Sequence, residues 1–182
     1  MFTNVRRLLL GSLVVLAAAV FISALLDSRW RVESTIQMRA TPSDVHRFVG
    51  DFDEWERWAQ WRESEDPDVS LHSEGLGAGS VQRIVIGGVE RARMTMLAET
   101  SNGVDVEVKG GSVEGKQTIR YEALTSDTTR VVWHDEGRFT TPLVSGLLAY
   151  SMKAKLSEHH AVALRRLRAL AESSFDQAKP SD

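Results

Sequence analysis

Cysteine is absent from this 182-residue chain, which excludes a disulfide framework, a thiolate metal site and a cysteine nucleophile. The absence leaves the compartment open, because exported proteins without disulfides are common. An excess of basic charge is missing as well. Formal net charge is −3, and the first 31 residues hold four arginines against the single acid Asp27. The other 151 residues therefore carry 18 basic and 24 acidic groups, a net of −6. Such a body repels phosphate backbones, so nucleic acid is not expected as a partner. No repeat or low-complexity tract is present. With 42% hydrophobic residues the chain is not disordered, and its length suits one domain with a real core.

Metal-binding spacing is lacking too. Asp51 and Asp53 begin like a calcium loop, but Trp55 and Glu56 fill the next ligand and glycine positions. Asp66, Asp68 and Ser70 run into Leu71 where glycine is required. His159 and His160 are adjacent, so on a helix they point about 100° apart, and there is no HExxH. Gly75, Gly77 and Gly79 lead into a strand, whereas a phosphate cradle feeds a helix N-terminus. Neither a metal nor a cofactor is expected.

One long apolar run is present. Leu8 to Leu26 is 19 residues without a charged side chain. As a helix it measures about 28 Å, close to the roughly 30 Å of a bilayer core. The expectation is a single-pass, uncleaved membrane anchor within residues 1–31, spanning with residues 8–26. Arg6 and Arg7 before the run face Arg29 and Arg31 after it, and the free α-amino charge on one side with Asp27 and Glu33 on the other favours an inner N-terminus and an extracytoplasmic body.

The body, 32–172, reads as strands followed by one helix. Residues 32–40 alternate Val32, Ile36 and Met38 against Glu33, Gln37 and Arg39. Thr41-Pro42-Ser43-Asp44 is a helix start with a hydroxyl cap and proline at the first position. A second short helix passes through Phe52, Trp55, Trp58 and Trp61. Period-two runs follow at 80–86, 89–99, 104–109, 115–124 and 128–139, with a hairpin turn at Asn102-Gly103. In the second run Ala92, Met94, Met96 and Ala98 share a face. From Leu147 to Phe175 no proline or glycine interrupts a stripe of Leu148, Met152, Leu156, Ala163, Leu167 and Leu170. So long an apolar face needs a curved antiparallel sheet of six or seven strands to lie on. Residues 173–182 read as a disordered tail. The class is α+β: a strand, two short helices, an antiparallel meander, and a long C-terminal helix gripped by the sheet.

Three stretches resemble the START-like helix-grip superfamily (SRPBCC), which includes polyketide cyclases/dehydrases and lipid-transfer proteins. They are ATPSDVHRFVGDFDEWERWAQW (40–61), GLGAGSVQRIVI (75–86) and TTRVVWHDEGRF (128–139), the last joined directly to the long helix. The resemblance covers 32–172 and implies a hydrophobic cavity under the C-terminal helix, roofed by the small helices. It implies no single activity.

Strand parity makes Met94, Met96, Ile119, Tyr121, Val131 and Trp133 the cavity-lining candidates, faced by Met152 and Leu156 from the helix. Trp55, Trp58 and Trp61 either grip a ligand as an aromatic lip or pin the small helices to the sheet. Asp135 shares Trp133's parity and is the inward-facing acid, yet no inward partner is evident. Its expected state is solvated or arginine-paired, while His134 and Glu136 face water. No catalytic constellation is expected. The function expected is a membrane-anchored domain binding a hydrophobic small molecule or lipid without chemistry. The alternatives are a cyclase/dehydrase-type enzyme in which Asp135 or Tyr121 moves a proton, and an envelope interaction module with a filled core.

Overall fold

The structure, a computed structural model, describes residues 2–59 and 68–178, with side chains from Leu10 onward. Helix α1 (Phe2–Leu25) precedes strand β1 (Arg29–Met38), helices α2 (Pro42–Val49) and α3 (Phe52–Trp58), and six further strands. These are β2 (Val69–Glu74), β3 (Val81–Ile86), β4 (Val89–Thr100), β5 (Gly103–Gly110), β6 (Val113–Ala123) and β7 (Thr129–Phe139). Helix α4 (Ser145–Ala178) ends the described chain. The seven strands form one sheet in the order β1-β7-β6-β5-β4-β3-β2, and every neighbouring pair is antiparallel. Only the β1–β7 pairing joins strands distant in sequence, and it brings the chain's first strand against the one that feeds α4.

Local chemistry accounts for most boundaries. Thr41 and Asp44 form a reciprocal capping box on α2, with Pro42 at the first turn. Asp51 caps α3 through the Asp53 backbone N–H. Gly87 and Gly88, both at positive φ, turn β3 into β4. The Thr100↔Gly103 pair closes the next hairpin one residue earlier than Asn102-Gly103 suggests.

Buried side chains form two clusters. The larger joins α2, α3 and the C-terminal half of α4 to the sheet, around Phe48, Trp58, Met96, Trp133 and Leu167. The smaller lies under the first half of α4 and holds Trp30, Val32, Phe139, Ala149 and Leu156. Trp30 fits because its register partner is Gly137, which is paired in turn with Gly115. A Cβ on Gly137 would stand 2.6 Å from Trp30 Cη2.

Three expectations need correction. The domain begins at Arg29, not residue 32, because Trp30 and Arg31 already pair with Gly137 and Glu136. Strand β2 was not anticipated; only its pairing with β3 makes so short and polar a segment a strand. The tail expected at 173–182 is helical as far as Ala178, since Phe175 packs on the larger core and Asp176 pairs with Arg39 at 2.7 Å. Among the described residues no helix is long and apolar enough to cross a membrane. The end of α1 packs on α4, where Gly146 admits Ser23 and Leu26.

Gly137→Ala tests the glycine–indole fit. Overpacking against Trp30 should cost about 1–3 kcal/mol in urea unfolding. An unchanged midpoint would remove the reason given for these paired glycines.

Candidate functional site

Beneath α4 a layer of polar side chains interrupts the apolar interior. Asp135 on β7 is 4% exposed and stands at its centre. Trp30 Nε1 donates to its Oδ1 at 3.0 Å, and Gln117 Nε2 donates to its Oδ2 at 3.0 Å. His160 of α4, 0% exposed, brings Nε2 to 3.7 Å from the same Oδ2. Its ring stacks on Trp133 with centroids 4.0 Å apart and planes 13° from parallel. Four buried atoms in this layer have no hydrogen-bond partner among the described residues: Gln117 Oε1, Trp133 Nε1, and Nδ1 and Nε2 of His160. Leaving such atoms unmatched is costly, so the layer is suited to meet a polar group from outside the chain.

A second polar chain runs from the rim inward. On β4 the register slips at Leu97, so Glu99 pairs with the inward-facing Val104, as Met96 pairs with Val106. Glu99 thereby sits on the inner face, which simple alternation assigns to Ala98. Its Oε1 lies 2.9 Å from His46 Nε2 on α2, and His46 Nδ1 is in contact with the Tyr121 hydroxyl on β6. With Nε2–H donated to the carboxylate, Nδ1 accepts the phenolic proton. Glycines make room for the carboxylate: a Cβ on Gly50 would meet Glu99 Oε1 at 2.9 Å, and one on Gly77 would collide with Oε2. His46, Glu99, Gly50 and Gly77 line a depression of about 400 Å³ with Arg47, Asp51 and Leu76. A depression of about 720 Å³ lies on the outer face of the sheet around Arg31, Lys116 and Arg138.

Burial and the neighbouring Glu99 charge push the Tyr121 phenol well above its ordinary range, so it stays protonated. His159 behaves oppositely for an imidazole. Burial, then the neighbouring His160, lower it to about 4 against the attraction of Asp135.

The residues expected to line a cavity, Met94, Met96, Ile119, Tyr121, Val131 and Trp133, all point inward and pack into one continuous core. Leu156 is buried and Met152 partly buried, but both belong to the smaller cluster. Trp55 and Trp58 are fully buried, donating Nε1–H to the Val49 and Phe48 carbonyls. They pin the small helices rather than standing at a surface. Trp61 lies outside the described residues. The expectation of a solvated or arginine-paired Asp135 is overturned, because Trp30, Gln117 and His160 enclose it. His134 and Glu136 do face outward, with Glu136 paired to Arg31 at 3.0 Å.

His46, Glu99, Gln117 and His160 were missed. Two were legible: Gln117 shares Ile119's parity, and His160 falls four residues after Leu156 in the apolar stripe. Glu99 was not, because no residue announces the slip at Leu97. Among the described residues no three histidine or acidic side chains gather as a metal site.

A curved seven-stranded antiparallel sheet closed over a long C-terminal helix, with two small helices after the first strand, defines an α+β helix-grip domain. The chain belongs to the polyketide cyclase / dehydrase and lipid transport family, whose sequence profile matches residues 29–172. No curated protein matches it. Solved structures share the fold at low identity. The di-domain ARO/CYC StfQ from the steffimycin biosynthetic pathway is 12% identical with a TM-score of 0.59, covering 80% of this chain and 51% of that one. Norcoclaurine synthase from Thalictrum flavum, in complex with dopamine and hydroxybenzaldehyde, is 13% identical with a TM-score of 0.53, covering 84% and 90%. A START superfamily protein from Mycobacterium smegmatis is 15% identical with a TM-score of 0.50, covering 82% and 99%.

The depressed His159 sets a pH dependence. Between its ordinary 6.5 and about 4 the unfolded chain takes up a proton that the folded chain refuses. Stability therefore falls as pH drops through that window and levels off below it. In urea titrations at pH 7 and pH 4, His159→Gln should show a smaller loss than the parent. An equal loss would contradict the assignment.

Proposed function

We propose that the domain binds an apolar small molecule or lipid beneath α4, with the guest's one polar group seated on the Asp135 layer. The observation that carries this reading is the set of buried polar atoms without a hydrogen-bond partner, Gln117 Oε1, Trp133 Nε1 and His160 Nδ1, enclosed by apolar side chains. Trp133 Nε1 offers a proton and Gln117 Oε1 accepts one, so a group that both donates and accepts fits best. An alcohol meets that requirement. An ionised acid does not, because it would face the Asp135 carboxylate in a low-dielectric interior. Room comes from repacking Met94, Met96 and Met152, whose unbranched side chains adapt. The start of α4 rests on the smaller cluster and the end of α1, outside the larger core, so it is the part that lifts to admit a guest.

The proposal includes attachment to a membrane through α1, with the body on the extracytoplasmic side. Its support is the uncharged run 8–26 together with the exposed Leu13, Val14, Val15, Leu16, Phe21 and Leu25. A patch of that extent is unfavourable against water.

Two measurements test these readings. Titrating the protein with 1-dodecanol should quench tryptophan fluorescence saturably. Gln117→Leu should weaken binding about tenfold, or roughly 1.4 kcal/mol. Absent saturation, or an unchanged affinity in that variant, overturns the ligand assignment. For attachment, the full chain should resist carbonate extraction from membranes of expressing cells. Protease should remove the body from right-side-out vesicles but not from inverted ones. Recovery in the carbonate-soluble fraction would reject attachment, and the opposite protease pattern would reject the orientation.

A further inference from the structure

At the end of the molecule where α1 meets α4, three neighbouring strands bring their charges together. Arg29 pairs in register with Arg138, and Arg138 with Glu114; one row inward, Arg31 pairs with Glu136, and Glu136 with Lys116. Trp30 fills the inner face between these rows, so the charged side chains stand outside, around the depression of about 720 Å³. Its lining sets Arg29, Arg31, Lys116 and Arg138 against Asp27, Glu114 and Glu136, a positive balance on a chain of net charge −3. Arg31 and Arg138 remain largely exposed although paired. The Arg29 guanidinium has no carboxylate partner among the described residues, and Asp27 accepts the Arg29 backbone N–H at 2.9 Å instead.

An apolar tip adjoins these cations. The Phe139 N–H donates to the Ser28 carbonyl at 3.0 Å and the Thr140 N–H to that of Ser112 at 2.8 Å, so the link from β7 to α4 leaves from the same end. In that link Leu143 has a φ of 70°, the left-handed region that a leucine adopts only at a cost. Packing does not offset the cost, because Leu143 is 67% exposed. Tyr150, 72% exposed, and Leu148 follow on the first turns of α4, and Phe21, Ile22 and Leu25 of α1 are exposed beside the Gly146 contact. A strained leucine held out to water, a nearby tyrosine and a rim of arginines match the layers of a bilayer surface. A soluble anion would leave the leucine uncovered, and a second copy on the same patch would set arginines against arginines.

We propose that this end of the domain docks on a bilayer containing anionic phospholipid, with Leu143 and Tyr150 entering the interface and Arg29, Arg31 and Arg138 meeting lipid phosphates. The inference rests on the attachment through α1 proposed above and adds how the body is held. Only residues 26–28 separate α1 from β1, so docking is intramolecular and single cations count. In the docked state the β6–β7 turn at Ser126 stands the length of β7, about 30 Å, from the surface.

The chain has no cysteine, so Leu143→Cys and Ser126→Cys each take a single NBD label. The full chain is reconstituted into vesicles of equal parts phosphatidylcholine and phosphatidylglycerol. Flotation reads attachment, and quenching of the label by doxyl-labelled lipid reads docking. The chain should float, with the label at 143 quenched and the label at 126 untouched. Arg29→Gln, which removes no side-chain pairing within the described fold, should lower the docked-to-undocked ratio about fivefold. Vesicles of phosphatidylcholine alone should lower it further. Failure to float overturns the attachment and this docking with it. Flotation with no quenching at 143, or with equal quenching at both positions, overturns the docking alone. So does quenching indifferent to Arg29→Gln and to phosphatidylglycerol. A blue-shifted label at 143 that doxyl lipid does not quench gives the patch to a second copy and also rejects the docking.

Discussion

A carboxylate taken out of water must be met by donors, and Asp135 imposes that requirement on the whole domain. Its two oxygens are satisfied by Trp30 from the first strand and Gln117 from the sixth, with His160 of α4 approaching above. None of these elements can shift without unpairing a buried charge. The layer therefore fixes the register of β1 on β7, the placement of Trp30 over Gly137, and the rotation of α4 about its axis. It also separates the two apolar clusters, so the interior has a polar waist rather than a uniform lining. The same layer holds sheet and helix together.

The larger cluster and the waist place opposite demands on α4. Its C-terminal half is locked by Ala163, Leu164 and Leu167 against the sheet and the small helices. Its N-terminal half has fewer buried partners and carries the exposed Leu148 and partly exposed Met152. Packing density along one helix therefore changes from end to end, and the looser end is where it meets α1.

Much of the architecture was legible because local rules agreed with the fold. The Thr41–Asp44 box, the alternation in β4 to β7 and the long apolar stripe each named their element correctly. The inward set from Met94 to Trp133 followed from period-two parity, which a sheet with one buried face enforces. Legibility ended where an outcome depended on partners. Strand β2 exists because β3 lies beside it. The helix continues past Ser173 because Arg39, distant in sequence, meets Asp176. Of the two polar arrangements, His160 and Gln117 were readable from spacing, but their convergence on Asp135 depends on strand register and helix rotation.

What the sequence determined by itself was the class: α+β, an antiparallel sheet gripping a terminal helix, in a chain without cysteine. Periodicity and capping are local, and each is encoded within a few residues. Only the tertiary structure decided the chemistry. Trp30 reaches Asp135 from 105 residues away, and Tyr121 reaches His46 from 75. A single slipped residue at Leu97 turned Glu99 from the outer face to the inner one. Side-chain encounters of that kind depend on strand register and helix rotation, which are settled by the packing of the whole chain and by no segment of it alone.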